Sequence, residues 1–362
     1  MDFKLSSEQD LLRDSLSKFL AARYDLDRSR SVAKTGAGWQ PEVWQAFAEE
    51  LGILGAPLPE SAGGSGGGPV ESMVIAEELG RALVTEPFID TVVVAGGLLA
   101  RAEGDVAPSV LEQIGAGSAI VSVALDPLST NAVRDGQDWL LTGSPAVVMN
   151  APIATHLLIA ARVPDGVGLF LTGTDVPMHA YRTIDDRRAA DLTMDGLRLP
   201  AAALIDAGAG PSVEQACDEG AAAVCAEAVG AMRRVLADTV DYCKQRQQFG
   251  QPIGGFQVLQ HRMVDMYMEL EQAVSATYLA VLNLRTDART RARAVSAAKA
   301  TVGRAARFIG QNAVQLHGGM GMTEELAVGH YFKRLTAVQY EYGSTDAHRT
   351  RYARLTRDAA PV

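Results

Sequence analysis

Arg246-Gln-Gln-Phe-Gly250, continuing as Gln251-Pro-Ile-Gly-Gly-Phe-Gln-Val-Leu-Gln-His261, breaks into a region of long helical patterns and decides how the chain is organised. Before it, Ser212 to Tyr242 carries small and aliphatic residues at helical spacing; after it, Gly255 to Leu284 and Arg291 to Leu316 do the same. Long helices rich in alanine suit tight bundle packing. The break itself is chemically pointed. Arg246 offers a charged, two-pronged contact to a phosphate oxygen, which lysine reproduces poorly. Gln248 adds an amide, Phe249 an apolar ring face, and Gly250 lets the chain leave the helix. At the end of the third pattern stands Gln315-Leu-His-Gly-Gly-Met-Gly321, where Gly318 and Gly319 allow backbone to approach a ligand without a side chain in the way. Taken singly, each motif also fits an ordinary role, Arg246 as a helix-end cation and Gly318-Gly319 as a helix cap.

Upstream of these helices the pattern changes. Ala119-Ile-Val-Ser-Val-Ala-Leu125, Asp138-Trp-Leu-Leu-Thr142, His156-Leu-Leu-Ile-Ala-Ala161 and Val167-Gly-Leu-Phe-Leu-Thr172 are short apolar runs divided by turn residues, and Leu192 to Leu199 alternates. Residues 116–208 are therefore expected to form a compact β domain. Residues 1–115 are expected to be helical. A helix starts at Ser6-Ser7 with Leu11, Leu12, Leu16, Phe19 and Leu20 on one face; others cover Pro41 to Leu51, Val70 to Leu83 and Asp90 to Arg101. The Gly-rich stretch Ala62 to Gly68 lacks the Lys-Ser/Thr pair of a phosphate cradle, so a flexible surface loop is expected there. Residues 209–362 form the third segment, closed by a helix from Thr345 onward.

A chain of 362 residues is too long for one simple core and points to two or three domains. Its 33 basic and 43 acidic residues leave a net charge of −10, which disfavours nucleic acid and anionic membrane surfaces as partners. Cys217, Cys225 and Cys243 show no metal-ligand spacing and are expected to be reduced structural thiols, in keeping with a cytoplasmic setting. The charged, amphipathic N-terminus is neither signal peptide nor anchor, and no run of eighteen apolar residues occurs.

The Arg-Gln-Gln-Phe-Gly and Gln-Leu-His-Gly-Gly-Met-Gly motifs, in register with Ile253 to His261, resemble the C-terminal flavin-contact motifs of acyl-CoA dehydrogenases. The helix–sheet–helix order resembles that family over essentially the whole chain. The resemblance implies a mainly α fold with a central β domain: an N-terminal helical domain, a middle β-barrel-like domain and a C-terminal four-helix bundle. It implies FAD as cofactor, contacted across a subunit interface by Arg246, Gln248, Phe249, Gln315, Gly318 and Gly319. Members of the family desaturate an acyl-CoA thioester, a carboxylate removing an α-proton while the flavin takes the β-hydride.

The departures from that pattern are equally local. The family's base precedes a Gly-Thr pair near the last helix; here Tyr342 holds that place before Gly343-Ser344, and Glu341 lies one residue early. One residue turns a side chain by about 100° on a helix. Some relatives carry the base on the long upstream helix, a place that falls at Gly220, beside Glu219, with Ala221 where an arginine is usual; Glu219 is expected to be an exposed helix-start residue. In the β domain, Leu125-Asp126-Pro127 runs into Leu128-Ser129-Thr130 without the family's Gly-Ser-Asp, and Val147-Val148-Met149 replaces a Trp-Ile-Thr strand that backs the flavin ring.

What is missing is what a subunit gives its own flavin; what remains is given to a neighbour. That division resembles the base-lacking subunit of the heteromeric, α2β2 steroid side-chain acyl-CoA dehydrogenases of actinobacteria. The resemblance implies a homologous catalytic partner holding most of the acyl-CoA, with an electron-transfer flavoprotein as acceptor. Two alternatives stay open: a self-sufficient acyl-CoA dehydrogenase using Glu341 or Glu219, and a non-enzymatic scaffold that has abandoned flavin.

Overall fold

A computed structural model describes residues 4–104 and 106–357. The chain opens with α1 (Ser7–Arg23), α2 (Leu26–Thr35), α3 (Pro41–Glu49) and α4 (Pro69–Arg81); a π-helical turn at Ile89–Ala95 runs into α5 (Gly96–Arg101), and α6 is Val106–Gly115. Ten strands follow: β1 (Val121–Ala124), β2 (Thr130–Asp135), β3 (Asp138–Gly143), β4 (Val148–Met149), β5 (His156–Val163), β6 (Gly166–Thr172), β7 (Met178–Arg182), β8 (Arg188–Leu192), β9 (Met194–Leu199) and β10 (Leu204–Asp206). The rest is α7 (Gly210–Gln245), a miniature hairpin of β11 (Gln247–Gln248) and β12 (Gln251–Pro252), then α8 (Gln257–Asn283), α9 (Ala288–His317), α10 (Ala327–Ala337) and α11 (Thr345–Arg357). The fold is mainly α with a central β region, as the sequence predicts.

By contact the chain divides into two compact units. One comprises the residues up to Leu26, Met73–Val84 and the chain from Ala221 on; the other comprises Asp27–Ser72 and Thr85–Gly220.

The first unit is helical. Ser6 caps α1 in a reciprocal box with Gln9, Leu16 and Leu20 turn inward, and Leu11 is exposed rather than part of the apolar face. Helix α4 crosses α7 at backbone distance. A methyl group on Gly80 would sit 2.0 Å from the Glu227 carbonyl oxygen, and one on Gly230 would sit 1.8 Å from that of Glu77. Only glycine fits at either place. Helix α9 buries Ala294, Val295, Ala298, Val302, Ala305, Ala306, Ile309 and Ala313, small residues that let neighbouring helices approach closely.

The second unit holds the sheets. One runs in the order β10-β6-β5-β2-β3-β9, with β1 also pairing parallel to β5; the other is β4-β8-β7. Their shared core includes Trp139, Leu141, Leu157, Ile159, Phe170, Leu192 and Met194, with Trp139 edge-on to Phe170 at 5.4 Å. The four early apolar runs coincide with β1, β3, β5 and β6. Two expectations need correction. Asp90 to Arg101 is not one α-helix, since its first half is π-helical. The Gly-rich stretch is a packed loop: the amides of Ser65, Gly66 and Gly67 donate to the carbonyls of Gly55, Leu58 and Ala56, which leaves none of these three for a phosphate.

Burial distinguishes the thiols. Cys225 and Cys243 are buried, Cys217 is half-buried and none of the three forms a disulfide; desolvation pushes the Cys225 thiol up to about 12 and removes it from nucleophilic chemistry. Among the described residues no helix is long and apolar enough to cross a membrane.

Candidate functional site

The Arg246–Pro252 segment folds as a two-residue hairpin. Gln247 pairs with Pro252 and Gln248 with Gln251, and the Ile253 amide donates to the Arg246 carbonyl at 2.8 Å. The turn residues are Phe249 (φ 53°) and Gly250 (φ 80°), both in the left-handed region that primed hairpin turns require. Glycine takes that conformation freely, whereas phenylalanine holds it at a cost of about 1–3 kcal/mol. Its ring is 92% exposed and meets Phe256 edge-on at 6.1 Å. A large apolar ring, strained and turned to solvent, has little structural purpose in the isolated chain. Arg246 is exposed, and its guanidinium has no partner among the described residues; the Gln248 amide is folded back onto the Gln247 carbonyl.

The second motif ends α9. The Gly318 amide donates to the Gln315 carbonyl, and Gly318 adopts φ 61°, ψ −141°, a conformation open to glycine alone. A methyl group added to Gly318 or Gly319 would meet no atom within 4 Å, so the turn is bare rather than crowded. Gln315 is exposed. What brings the two motifs together is a pair of residues whose role the sequence did not disclose. Tyr242, one turn before Arg246, stacks on His317 at 4.3 Å, and its hydroxyl donates to the His317 carbonyl at 3.3 Å. The His317 ring is fixed in turn by the Ala313 carbonyl at 2.8 Å. Together the motifs present a guanidinium, two carboxamides, an aromatic face and a bare glycine turn, a donor set suited to a dinucleotide's pyrophosphate and ring.

The two carboxylates near the family's base positions are otherwise engaged. Glu341 makes a forked ion pair with Arg334, one contact at 2.9 Å, and the other edge of the same guanidinium holds Glu227. The side chains of Arg334 and Glu227 are each 3% exposed and that of Glu341 is 19% exposed. The following backbone is fixed as well. Tyr342 lies at φ 51°, its carbonyl accepting from His348 Nε2 at 2.9 Å, while the buried Lys299 ammonium donates to the carbonyls of Val338 (2.8 Å) and Gly343 (3.0 Å). Burial lowers the Lys299 pKa. Glu341 is held by Arg334 within a turn whose carbonyls are bonded to His348 and Lys299.

Glu219 is not the exposed helix-start residue expected. Its carboxylate receives both arms of Arg101, at 2.9 and 3.0 Å, and the Gln215 amide at 2.9 Å, with 16% of the side chain exposed. It ties α5 to α7, and a methyl group on Gly97 would press to 2.7 Å from its oxygen. Gly220 and Ala221 are buried and supply no substitute.

Two hydroxyls of the β region are bonded within it. Ser129 donates to the Asp126 carbonyl at 2.6 Å, inside its own turn, and Ser122 donates to Met149 at 2.5 Å. Val147 sits at φ 55°, a strained place for a β-branched residue. It is held there by its amide donating to Asp191 Oδ1 at 2.8 Å, where the Tyr181 hydroxyl also donates. The Val147 amide and then the Tyr181 hydroxyl keep the Asp191 carboxyl below its ordinary value.

An open pocket of about 820 Å³ lies beside the Gln339–Thr345 segment in the helical unit, lined among others by Arg304, Arg307, Tyr340, Asp346 and Arg349. Arg304 is already paired with Glu269, and Arg349 with Asp346.

Residues 6–106 match the model of the acyl-CoA dehydrogenase N-terminal domain, and residues 208–356 that of the acyl-CoA dehydrogenase C-terminal domain. The acyl-CoA dehydrogenase IpdE2 of Mycolicibacterium smegmatis is 30% identical over 331 residues, spanning 91% of this chain and 93% of that protein. The ChsE4–ChsE5 complex from Mycobacterium tuberculosis contains a chain similar at a TM-score of 0.93 and 25% identity, with complete coverage of both chains. A variant of the Tcur3481–Tcur3483 steroid ACAD is similar at a TM-score of 0.89 and 28% identity, over 97% of this chain and 98% of that one.

Proposed function

Because the chain belongs to the acyl-CoA dehydrogenase family, we propose that it is the subunit of a heteromeric acyl-CoA dehydrogenase that lends half of a FAD site to a catalytic partner. The observation that carries this is the contrast between the two kinds of residue. Arg246, Phe249, Gln315 and the Gly318-Gly319 turn stand exposed and uncommitted, whereas Glu341 and Glu219 are each clamped by an arginine. Relatives in this family use FAD, which supplies hydride acceptance when bound. Toward it, Arg246 would pair a pyrophosphate oxygen, Gln248 and Gln315 would donate amides, Phe249 would cover an apolar ring face, and Gly318 and Gly319 would let backbone close in. This chain would position the cofactor and exclude water; the α-proton would leave to a carboxylate of the partner.

The partner is a homologous acyl-CoA dehydrogenase chain in an α2β2 assembly, holding most of the acyl-CoA, with an electron-transfer flavoprotein as acceptor and the cytoplasm as location. Two of the similar solved structures, by their names, combine two different proteins, and one is described as a steroid ACAD; both facts support a heteromer acting in steroid side-chain β-oxidation. The division into residues 1–115, 116–208 and 209–362 belongs to the same proposal.

The test is co-expression with each homologous acyl-CoA dehydrogenase chain of the same genome, followed by a flavin-to-polypeptide count. The expected result is a complex with one FAD per two chains, and little flavin on the chain alone. A yellow homo-oligomer with one FAD per chain that reduces a dye in the presence of acyl-CoA overturns the proposal and restores the self-sufficient enzyme.

A further inference from the structure

Lys299 is 1% exposed on α9, and its partners are three backbone carbonyls rather than a carboxylate. The ammonium donates to Val338 at 2.8 Å, to Gly343 at 3.0 Å and to Gln339 at 3.4 Å. An ammonium has three N–H groups and no acceptor, so this set occupies every proton it carries. Among the described residues no backbone amide competes for these carbonyls. One side chain therefore gathers both ends of the turn at residues 338–343 onto α9. One helical turn further along, α9 touches the start of α11: a methyl group on Gly303 would sit 2.2 Å from Thr345 Oγ1. The open pocket of about 820 Å³ adjoins this clasp. Gln339, Tyr340, Ser344 and Thr345 line it from the clasped segment, and Ala300 and Arg304 line it from α9.

The clasp depends on charge. A neutral amine keeps two N–H groups and gains a lone pair, so one of the three carbonyls would lose its donor and face that lone pair instead. The bond to Gln339 is the longest, hence the weakest and the first to open. Gln339 and its neighbour Tyr340, which is 71% exposed, both line the pocket, so the change would be felt at its wall. The surroundings favour loss of the proton. Burial holds Lys299 below its ordinary value of 10.5, with Arg334 of α10 adding to that effect and Cys225 of α7 and Glu341 of the turn opposing it in part. Cys225 remains a neutral thiol, and the Glu341 carboxylate is engaged by Arg334. From α11, His348 faces the same turn and donates to the Tyr342 carbonyl at 2.9 Å. A depressed folded-state value means that the folded chain releases this proton before the unfolded chain does. Deprotonation therefore does not itself favour unfolding, and the response stays local.

We propose that Lys299 is a proton-controlled latch: its charged form fixes the turn at residues 338–343 against α9 and shapes the wall of the adjoining pocket, and its neutral form lets Gln339 and Tyr340 move. The latch belongs to this chain's own fold and is independent of the heteromeric function proposed above.

The experiment follows two signals in the full-length chain as pH is raised through the alkaline range. One is the NMR titration of the chain's six lysines, labelled at the ε-carbon, with Lys299→Met identifying the signal of interest. The other is indole fluorescence in a Tyr340→Trp variant, which reports on the turn. The expected result is a Lys299 signal that titrates below 10.5, with a fluorescence step at the same midpoint that disappears when Lys299→Met is added. Tyrosine ionisation would persist in that double variant, so the comparison separates the two causes. Should Lys299→Met fail to fold, arginine at the five other lysines leaves one lysine signal, and agreement of its midpoint with the fluorescence step decides the matter. A Lys299 signal at 10.5 or above, a fluorescence step that survives Lys299→Met, or a silent indole while Lys299 titrates each overturns the latch.

Discussion

Replacing Glu341 by glutamine separates a structural role from a catalytic one. In the fold, Glu341 accepts both arms of an Arg334 guanidinium that also holds Glu227. Glutamine keeps one acceptor oxygen, and Arg334 keeps its buried partner, so the change removes about one charge-assisted hydrogen bond, worth roughly 1.5–3 kcal/mol when well shielded. The Glu341 side chain is 19% exposed, and water can replace part of the loss. A net destabilisation of about 1–2 kcal/mol is expected, which for a chain of this size lowers the melting temperature by roughly 1–3 °C. Turnover is a different matter: a general base typically contributes about 10²–10⁴ in rate, and on the proposed function Glu341 contributes none of that. The assay is dye-linked oxidation of acyl-CoA by the assembled complex, with scanning calorimetry on the same preparations. The expected outcome is a lower melting temperature with turnover within about threefold of wild type, well short of the loss that follows removal of a base. A hundredfold loss of rate at unchanged flavin content and melting temperature would refute the structural assignment.

Three further outcomes are expected. Arg246→Ala should weaken FAD retention by about ten- to more than a hundredfold, the effect of losing one charged hydrogen bond to a phosphate, measured as flavin remaining on the complex after dialysis. Phe249→Gly should raise the stability of the isolated chain by about 1 kcal/mol in denaturant unfolding, since glycine relieves the left-handed turn, while lowering flavin retention in the complex. Asp191 should titrate below its ordinary value of 3.8 in a carboxyl NMR titration, because the Val147 amide and the Tyr181 hydroxyl favour its charged form. A depressed folded-state value means its contribution is present above the unfolded pKa and disappears as pH falls through the folded one, so Asp191→Asn should flatten the acid limb of the stability curve below about pH 4.

The long helices were legible because their signal is long: α7, α8 and α9 each repeat small and aliphatic residues over many turns. Two of the strands that escaped notice share a physical cause. Strand β2 buries only Thr130 and Ala132, and β7 buries no residue, so neither writes an apolar alternation into the sequence. The site motifs were legible as residue types, but their junction was not. Tyr242 and His317 lie 75 residues apart and meet only because α7 and α9 end side by side. Glu219 failed for the same reason in reverse: its neighbourhood reads as a solvated helix start, and the arginine that clamps it comes from 118 residues upstream. Register alone led to the expectation that Glu341 misses the base's place; the Arg334 pair that engages its carboxylate is visible only in three dimensions.

The Tyr242–His317 stack has a consequence for how assembly proceeds in time. A floppy recognition loop must surrender about 1–2 kcal/mol of conformational freedom per residue as it closes on a ligand. Here the spacing between hairpin and glycine turn is set by two rings in contact before any ligand arrives. In the proposed assembly, capture would therefore resemble a key entering a cut lock, limited by encounter and alignment, with little entropy lost when the two halves meet.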